Sequence, residues 1–93
     1  MNRHIILSPD AEADISAIEL WYYLKEPSLS FKFAAEVQFT SRLIAQYPRA
    51  FPLVKNGVRR ALMTAFPYSI YFTLRSDTIS VIAVLHQHRR QEP

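Results

Sequence analysis

The stretch Phe66 to Arg90, FPYSIYFTLRSDTISVIAVLHQHRR, decides how the rest of this 93-residue chain is read. Tyr68, Ile70, Phe72 and Leu74 alternate with Ser69, Tyr71, Thr73 and Arg75, the period of two of a strand with one buried face. Ser76 and Asp77 then supply side chains that hydrogen-bond their own backbone, so a two-residue turn returns the chain at Thr78. The second strand puts Ile79, Val81, Ala83 and Leu85 on one face and carries Ile82 and Val84 on the other, ahead of His86 and His88. Apolar on both sides, it belongs inside the sheet.

Working back from this hairpin, Val58 to Ala65 reads as a further, outer strand, because Pro67 beyond it suits a strand start or edge. Pro48 to Gly57 holds Pro52 and the Asn56-Gly57 pair, and reads as a loop or a small hairpin. Two helices precede it. The first is opened by Ser8 as N-cap and Pro9 at the first helical position. Asp10, Glu12 and Asp14 crowd its start, where the positive end of the helix dipole favours carboxylates, and they are read as stabilisers of the helix rather than as catalytic acids. Its apolar arc is wide: Ile15, Ile18 and Tyr22 form one stripe and Ala17, Trp21 and Leu24 an adjoining one. Trp21, Tyr22 and Tyr23 are read as core, with a partner anchor as the alternative. Pro27 ends this helix, Ser28 or Ser30 caps the second, and the second runs to about Tyr47, with Phe33, Val37 and Ile44 on one face and Phe39 and Leu43 beside them. Arg3 to Leu7 is a short first strand. The order is β-α-α-β-β-β: an α+β fold with a small antiparallel-type sheet and an α-helical hairpin on one face, a single domain over residues 1–93.

Hydrophobic residues make up 49% of the chain and charged residues 20%, with one glycine, which disfavours disorder. The absence of cysteine removes disulfides, thiolate catalysis and cysteine-rich zinc modules, and fits a cytoplasmic setting. The start MNRHIILSPDAEAD is unlike a signal peptide, and no apolar run reaches membrane-spanning length, so no membrane association is expected. Charge is uneven: residues 1–46 hold four bases and six acids, residues 47–93 seven bases and two acids. A basic half suits an acidic partner, nucleic acid or protein, and equally a solvated face. With Gly57 the only glycine there is no phosphate-cradling loop of the P-loop kind, and no cofactor is expected. His86 and His88 chelate a metal only if a third ligand arrives, for which His4 is the one candidate, and no metal site is assigned. The same pair suits acid and base work, or simply a polar strand exit.

Ser8-Pro9 opening the first helix, Arg59-Arg60, Phe66-Pro67-Tyr68 and Val81 to Arg90 stand in an order that resembles the RelE/ParE toxin superfamily of bacterial type II toxin–antitoxin modules, over nearly the whole chain. The resemblance implies a cytosolic protein silenced by a cognate antitoxin. Its two branches differ in chemistry. RelE-like members cut mRNA on the ribosome, which needs positioned cations and proton carriers; for that branch Arg59, Arg60, Arg75, His86 and His88 are the candidate catalytic residues. ParE-like members bind and poison DNA gyrase. No tyrosine follows Tyr71, and the end HQHRRQEP is more similar to the ParE-like branch. The leading expectation is therefore a gyrase-directed toxin with Arg59, Arg60, Arg89 and Arg90 as target-binding residues, since guanidinium forks suit phosphate and carboxylate. A ribosome-dependent nuclease is the alternative, and a non-toxic binding subunit of the same fold a further one. Strand alternation points Arg59 and Arg60 to opposite faces, which gives them different roles.

Overall fold

A computed structural model of the protein describes residues 3–88. The elements are β1 (His4–Leu7), α1 (Pro9–Lys25), α2 (Pro27–Gln46), a 3-10 turn at Pro48–Ala50, β2 (Leu53–Lys55), β3 (Val58–Leu62), β4 (Tyr68–Arg75) and β5 (Thr78–His86). The five strands form one sheet in the order β1-β5-β4-β3-β2. The two helices pack on one face, burying Ala11 and Ile18 of α1 and Phe33 and Ile44 of α2 against Phe72 and Val81. Among the described residues no helix is long and apolar enough to cross a membrane.

The helix starts and turns follow local chemistry. Ser8 Oγ accepts the Ala11 N–H at 3.0 Å and Pro9 occupies the first turn, where it has no hydrogen bond to lose. Glu26 alone separates the helices: it ends α1 and begins α2, so Pro27 is the first residue of α2 and not part of a linker, and neither Ser28 nor Ser30 is the cap. Asn56 and Gly57 both have positive φ, 47° and 79°, as a two-residue turn with a left-handed pair requires. They close β2 onto β3, so the small-hairpin reading of this segment holds. Arg75 pairs with Thr78 across Ser76 and Asp77, as the alternation required.

Several further features differ from the sequence reading. The strand at Val58 is flanked on both sides, and the outer strand is β2, whose three residues are too few to display a periodicity. β3 stops at Leu62, because the Glu36 carboxylate of α2 accepts hydrogen bonds from the Thr64 N–H and hydroxyl and from the Ala65 N–H, folding that segment into a connector. The sheet is mixed, since β1 runs parallel to β5 while all other pairs are antiparallel. On the helices the second stripe is bare: Trp21 is 54% exposed, Leu24 75% and Phe39 54%. One layer of sheet is covered by a single stripe per helix, and among the described residues no further layer lies beyond them.

The largest difference lies in β5. Tyr71 pairs with Ala83 and Phe72 with Val81, leaving Ile82 as the extra residue of a β-bulge. The bulge reverses the phase of the strand. Ile79 and Val81 face the helices as expected, but beyond the bulge Val84 and His86 do so, paired with Ile70 and Tyr68, while Ala83 and Leu85 turn to the open face. Helix α1 holds the irregularity. β1 ends at Leu7, and past it Ser8 donates its N–H to Val81 O and its hydroxyl to Ile82 O, while the Asp14 carboxylate accepts the Val84 N–H at 2.9 Å. Asp14 thus belongs to the sheet as much as to its helix, which corrects its reading as a dipole stabiliser.

Asp14→Ala is expected to lower stability by about 1–3 kcal/mol, since it leaves a part-buried N–H without an acceptor. Asp14→Asn, which keeps an acceptor, is expected to lose less. Urea unfolding measures the first comparison, and faster amide exchange at Val84 in Asp14→Ala identifies the bond responsible.

Candidate functional site

The sequence candidates fall on four separate parts of the fold. Arg59 sits opposite Phe72 on the helix-covered face, where its guanidinium donates to the Phe51 carbonyl oxygen at 2.7 Å. Phe51 in turn packs edge-on against Phe72, 5.9 Å between ring centres. Arg59 is therefore a brace that ties the segment before β2 to the core. Arg60 pairs with Tyr71 and points to the open face, and its Nε is buried without a hydrogen-bond partner. Arg75 is exposed at the far end of β4. His86 closes β5 opposite Tyr68, whose ring lies 5.1 Å away. Arg89 and Arg90 lie outside the described residues.

Seven residues separate Tyr68 from Arg75 along β4, roughly 23 Å at strand spacing. His86 and Arg75 thus stand at opposite ends of the hairpin, and His86 and Arg60 on opposite faces. Proton transfer requires groups within about 3 Å of the reacting atoms. The described residues do not bring the histidines and the three arginines to one such point.

His86 and His88 border a groove of about 480 Å³ between α1 and the end of β5, lined also by Asp14, Ile18, Tyr68 and Val84. β5 ends at His86, and Gln87 and His88 form a turn, so the two imidazoles are not successive residues of one strand face. The His88 N–H donates to His86 Nδ1 at 3.1 Å, which leaves the neutral ring's proton on Nε2 and occupies its acceptor. His4 stands opposite Thr78, at the other end of β5. Among the described residues no three histidine, cysteine or acidic side chains gather as a metal site.

Gln87 and Tyr22 escaped the sequence reading as site residues. The Gln87 N–H donates to Pro67 O at 2.7 Å, and its side-chain amide donates to Met63 O at 3.1 Å and Tyr68 O at 2.9 Å. It thereby stitches the β3–β4 connector to the end of β5. Tyr22 packs against Phe33, Phe66 and Tyr68, with centroid distances of 5.9, 5.0 and 6.4 Å. Burial, with the neighbouring Tyr68 adding to it, raises the Tyr22 phenol above its ordinary 10.0. Both residues act through contacts between segments distant in sequence, Gln87 with Met63, Pro67 and Tyr68 and Tyr22 with Phe66 and Tyr68, which no local pattern signals.

A family model described as ParE toxin of type II toxin-antitoxin system, parDE, matches residues 5–91. Comparison with curated proteins finds no match. Among solved structures, a chain of the chromosomal ParDE TA system from P. aeruginosa superposes with a TM-score of 0.80 at 19% identity, covering 90% of this chain and 95% of that one. At that identity the superposition speaks for the fold: the same helical hairpin on a sheet.

Because the folded chain holds the Tyr22 proton more tightly than the unfolded chain, its contribution is complete below pH 10.0 and is lost as pH rises through the raised value. Tyr22→Phe is expected to flatten the fall in stability as pH rises above about 10, relative to the parent chain, in urea titrations that start from a neutral baseline.

Proposed function

The chain belongs to the ParE toxin family of type II toxin–antitoxin systems, and on that premise we propose that it is the toxin of such a pair, held silent by a cognate antitoxin and acting, when free, by binding DNA gyrase. The observation that carries the choice of binding over cleavage is the dispersal of the candidate catalytic residues. Arg59 is committed to Phe51 O, His86 and His88 lie at the helix-side groove, and Arg75 is at the far end of the hairpin. A nuclease on the open face would have Arg60 and Tyr71 but neither histidine. A gyrase-directed toxin needs a surface, not a converging set, and the basic half of the chain supplies one. In this reading Arg60 contacts the target, and Arg89 and Arg90 join it on the strength of sequence alone.

The test is expression without antitoxin, with growth, chromosome breakage and mRNA integrity followed in one culture. Arrested growth with broken DNA and intact mRNA is expected, and His86→Ala is expected to leave that arrest in place. Cleaved mRNA with intact DNA, abolished by His86→Ala, would establish the ribosome-dependent nuclease. Unaffected growth would leave only the non-toxic binding subunit.

A further inference from the structure

Helix α1 is apolar on the side away from the core as well as on the side that faces it. At about 100° of turn per residue, Ala13, Ala17, Leu20 and Leu24 fall within about 60° of one another, and the buried Ala11 and Ile18 lie on the opposite side of the helix. All four are exposed, Leu20 by 58% and Leu24 by 75%. Trp21 and Tyr23, both exposed, border this stripe on its two sides. The matching outer stripe of α2 is Phe31, Ala35, Gln38 and Arg42, which turns polar toward its end. A helix that covers a core commonly directs polar residues outward, and α1 from Ala13 to Leu24 directs none along this stripe.

The steps of four, three and four residues along the stripe are those of a seam between two helices packed along their length. Read in reverse, the stripe is its own complement. Set antiparallel against a second copy, Ala13 lies opposite Leu24 and Ala17 opposite Leu20, so a small residue meets a large one in every layer. The same register brings Glu12 abreast of Lys25, whose ammonium stays beside the stripe, 4.9 Å from the centre of the Trp21 ring. Parallel pairing would instead set Leu24 on Leu24 and Ala13 on Ala13, with like charges together at both ends. From this self-complementarity we propose that two copies of this chain associate through antiparallel α1 helices, about a twofold axis between the levels of Ile18 and Glu19, with each contact made twice. The seam from Ala13 to Leu24 is about 16 Å long. One helix pair of that length buries on the order of 1,000 Å², at the lower edge of specific interfaces, so the dimer is weak, with a dissociation constant on the order of 10 μM. The helices cover the sheet face opposite to Arg60, so the pair leaves two open faces, each with its Arg60, directed outward.

The experiment follows the mass of the purified chain by sedimentation velocity from about 1 to 200 μM, a range that brackets the expected constant. A rise from monomer toward dimer is expected. Leu20→Glu and Leu24→Glu, exposed substitutions checked for folding by circular dichroism, are expected to weaken association on the order of a hundredfold, since each places a charge in the seam of both copies. Ile82→Ser, on the open face of the sheet, is expected to associate like the parent. Because the chain has no cysteine, an oxidised mixture of Ala17→Cys and Leu20→Cys chains reports the register. The mixed disulfide, identified by mass, is expected in excess of what random pairing gives. A parent chain that stays monomeric throughout overturns the proposal and leaves the stripe to a different protein. Association that survives both glutamate variants, or that Ile82→Ser alone abolishes, overturns it by moving the contact to another surface. Disulfides no more mixed than random pairing overturn the antiparallel register on which it rests.

Discussion

The hydrogen bond from Val84 N–H to the Asp14 carboxylate is the constraint on which both faces of the sheet depend. β5 has a partner on each side only as far as Val81, where β1 gives way to α1. Beyond that point its backbone groups on one side need new partners, since a part-buried N–H left unmade costs about 1–3 kcal/mol. Ser8 and Asp14, both on the chain that has just left the sheet, supply them. The helix can do so only because the bulge at Ile82 places Val84 toward it. A regular strand would have sent Ala83 and Leu85 into the core and left Val84 and His86 outside, as the alternation alone suggests. One irregular residue therefore determines that His86 packs on Tyr68 under the helices and that Leu85 joins Ile82 on the open side.

Much of the fold was legible, and what was legible was local. The alternation of β4, the Ser76-Asp77 turn, the Ser8-Pro9 helix start and the Pro48 stop each rest on residues adjacent in sequence, and all stand in the structure. Asp14 resembles Asp10 and Glu12 in residue type, and only its place beyond the first turn, where a dipole's influence fades, sets it apart; its partner Val84 is seventy residues away. The bulge was hidden by composition: a run apolar on both faces looks the same in either phase. Parallel pairing of β1 with β5 is a long-range fact that no window of sequence carries. Leu53–Lys55 is too short to show a period.

The candidate site was less legible than the fold, for a related reason. The tokens that marked the family, Phe66-Pro67-Tyr68 and His86-Gln87-His88, form one corner fastened by Gln87 and by the Tyr68–His86 ring contact. Their association reflects construction, and the histidines drew chemical attention that belongs in part to packing. The two adjacent arginines illustrate the opposite case. Alternation alone assigned them to different faces, and the structure gives each a different circumstance: Arg59 satisfied within the molecule, Arg60 wanting an acceptor.

The parallel union of β1 and β5 also bears on how the protein comes into being. His4 meets Thr78 across about seventy intervening residues, and closing a loop of that length carries an entropic cost of roughly 4 kcal/mol. β1 is the first described strand to leave the ribosome, and it has no partner until β5 has been made. The strands β2 to β5 join by short turns and can zip together locally, but the sheet gains its last strand, and α1 its grip on the bulge, only afterwards. The bulged end of β5, and the two faces it shapes, are consequently completed late, and the chain spends most of its synthesis without them.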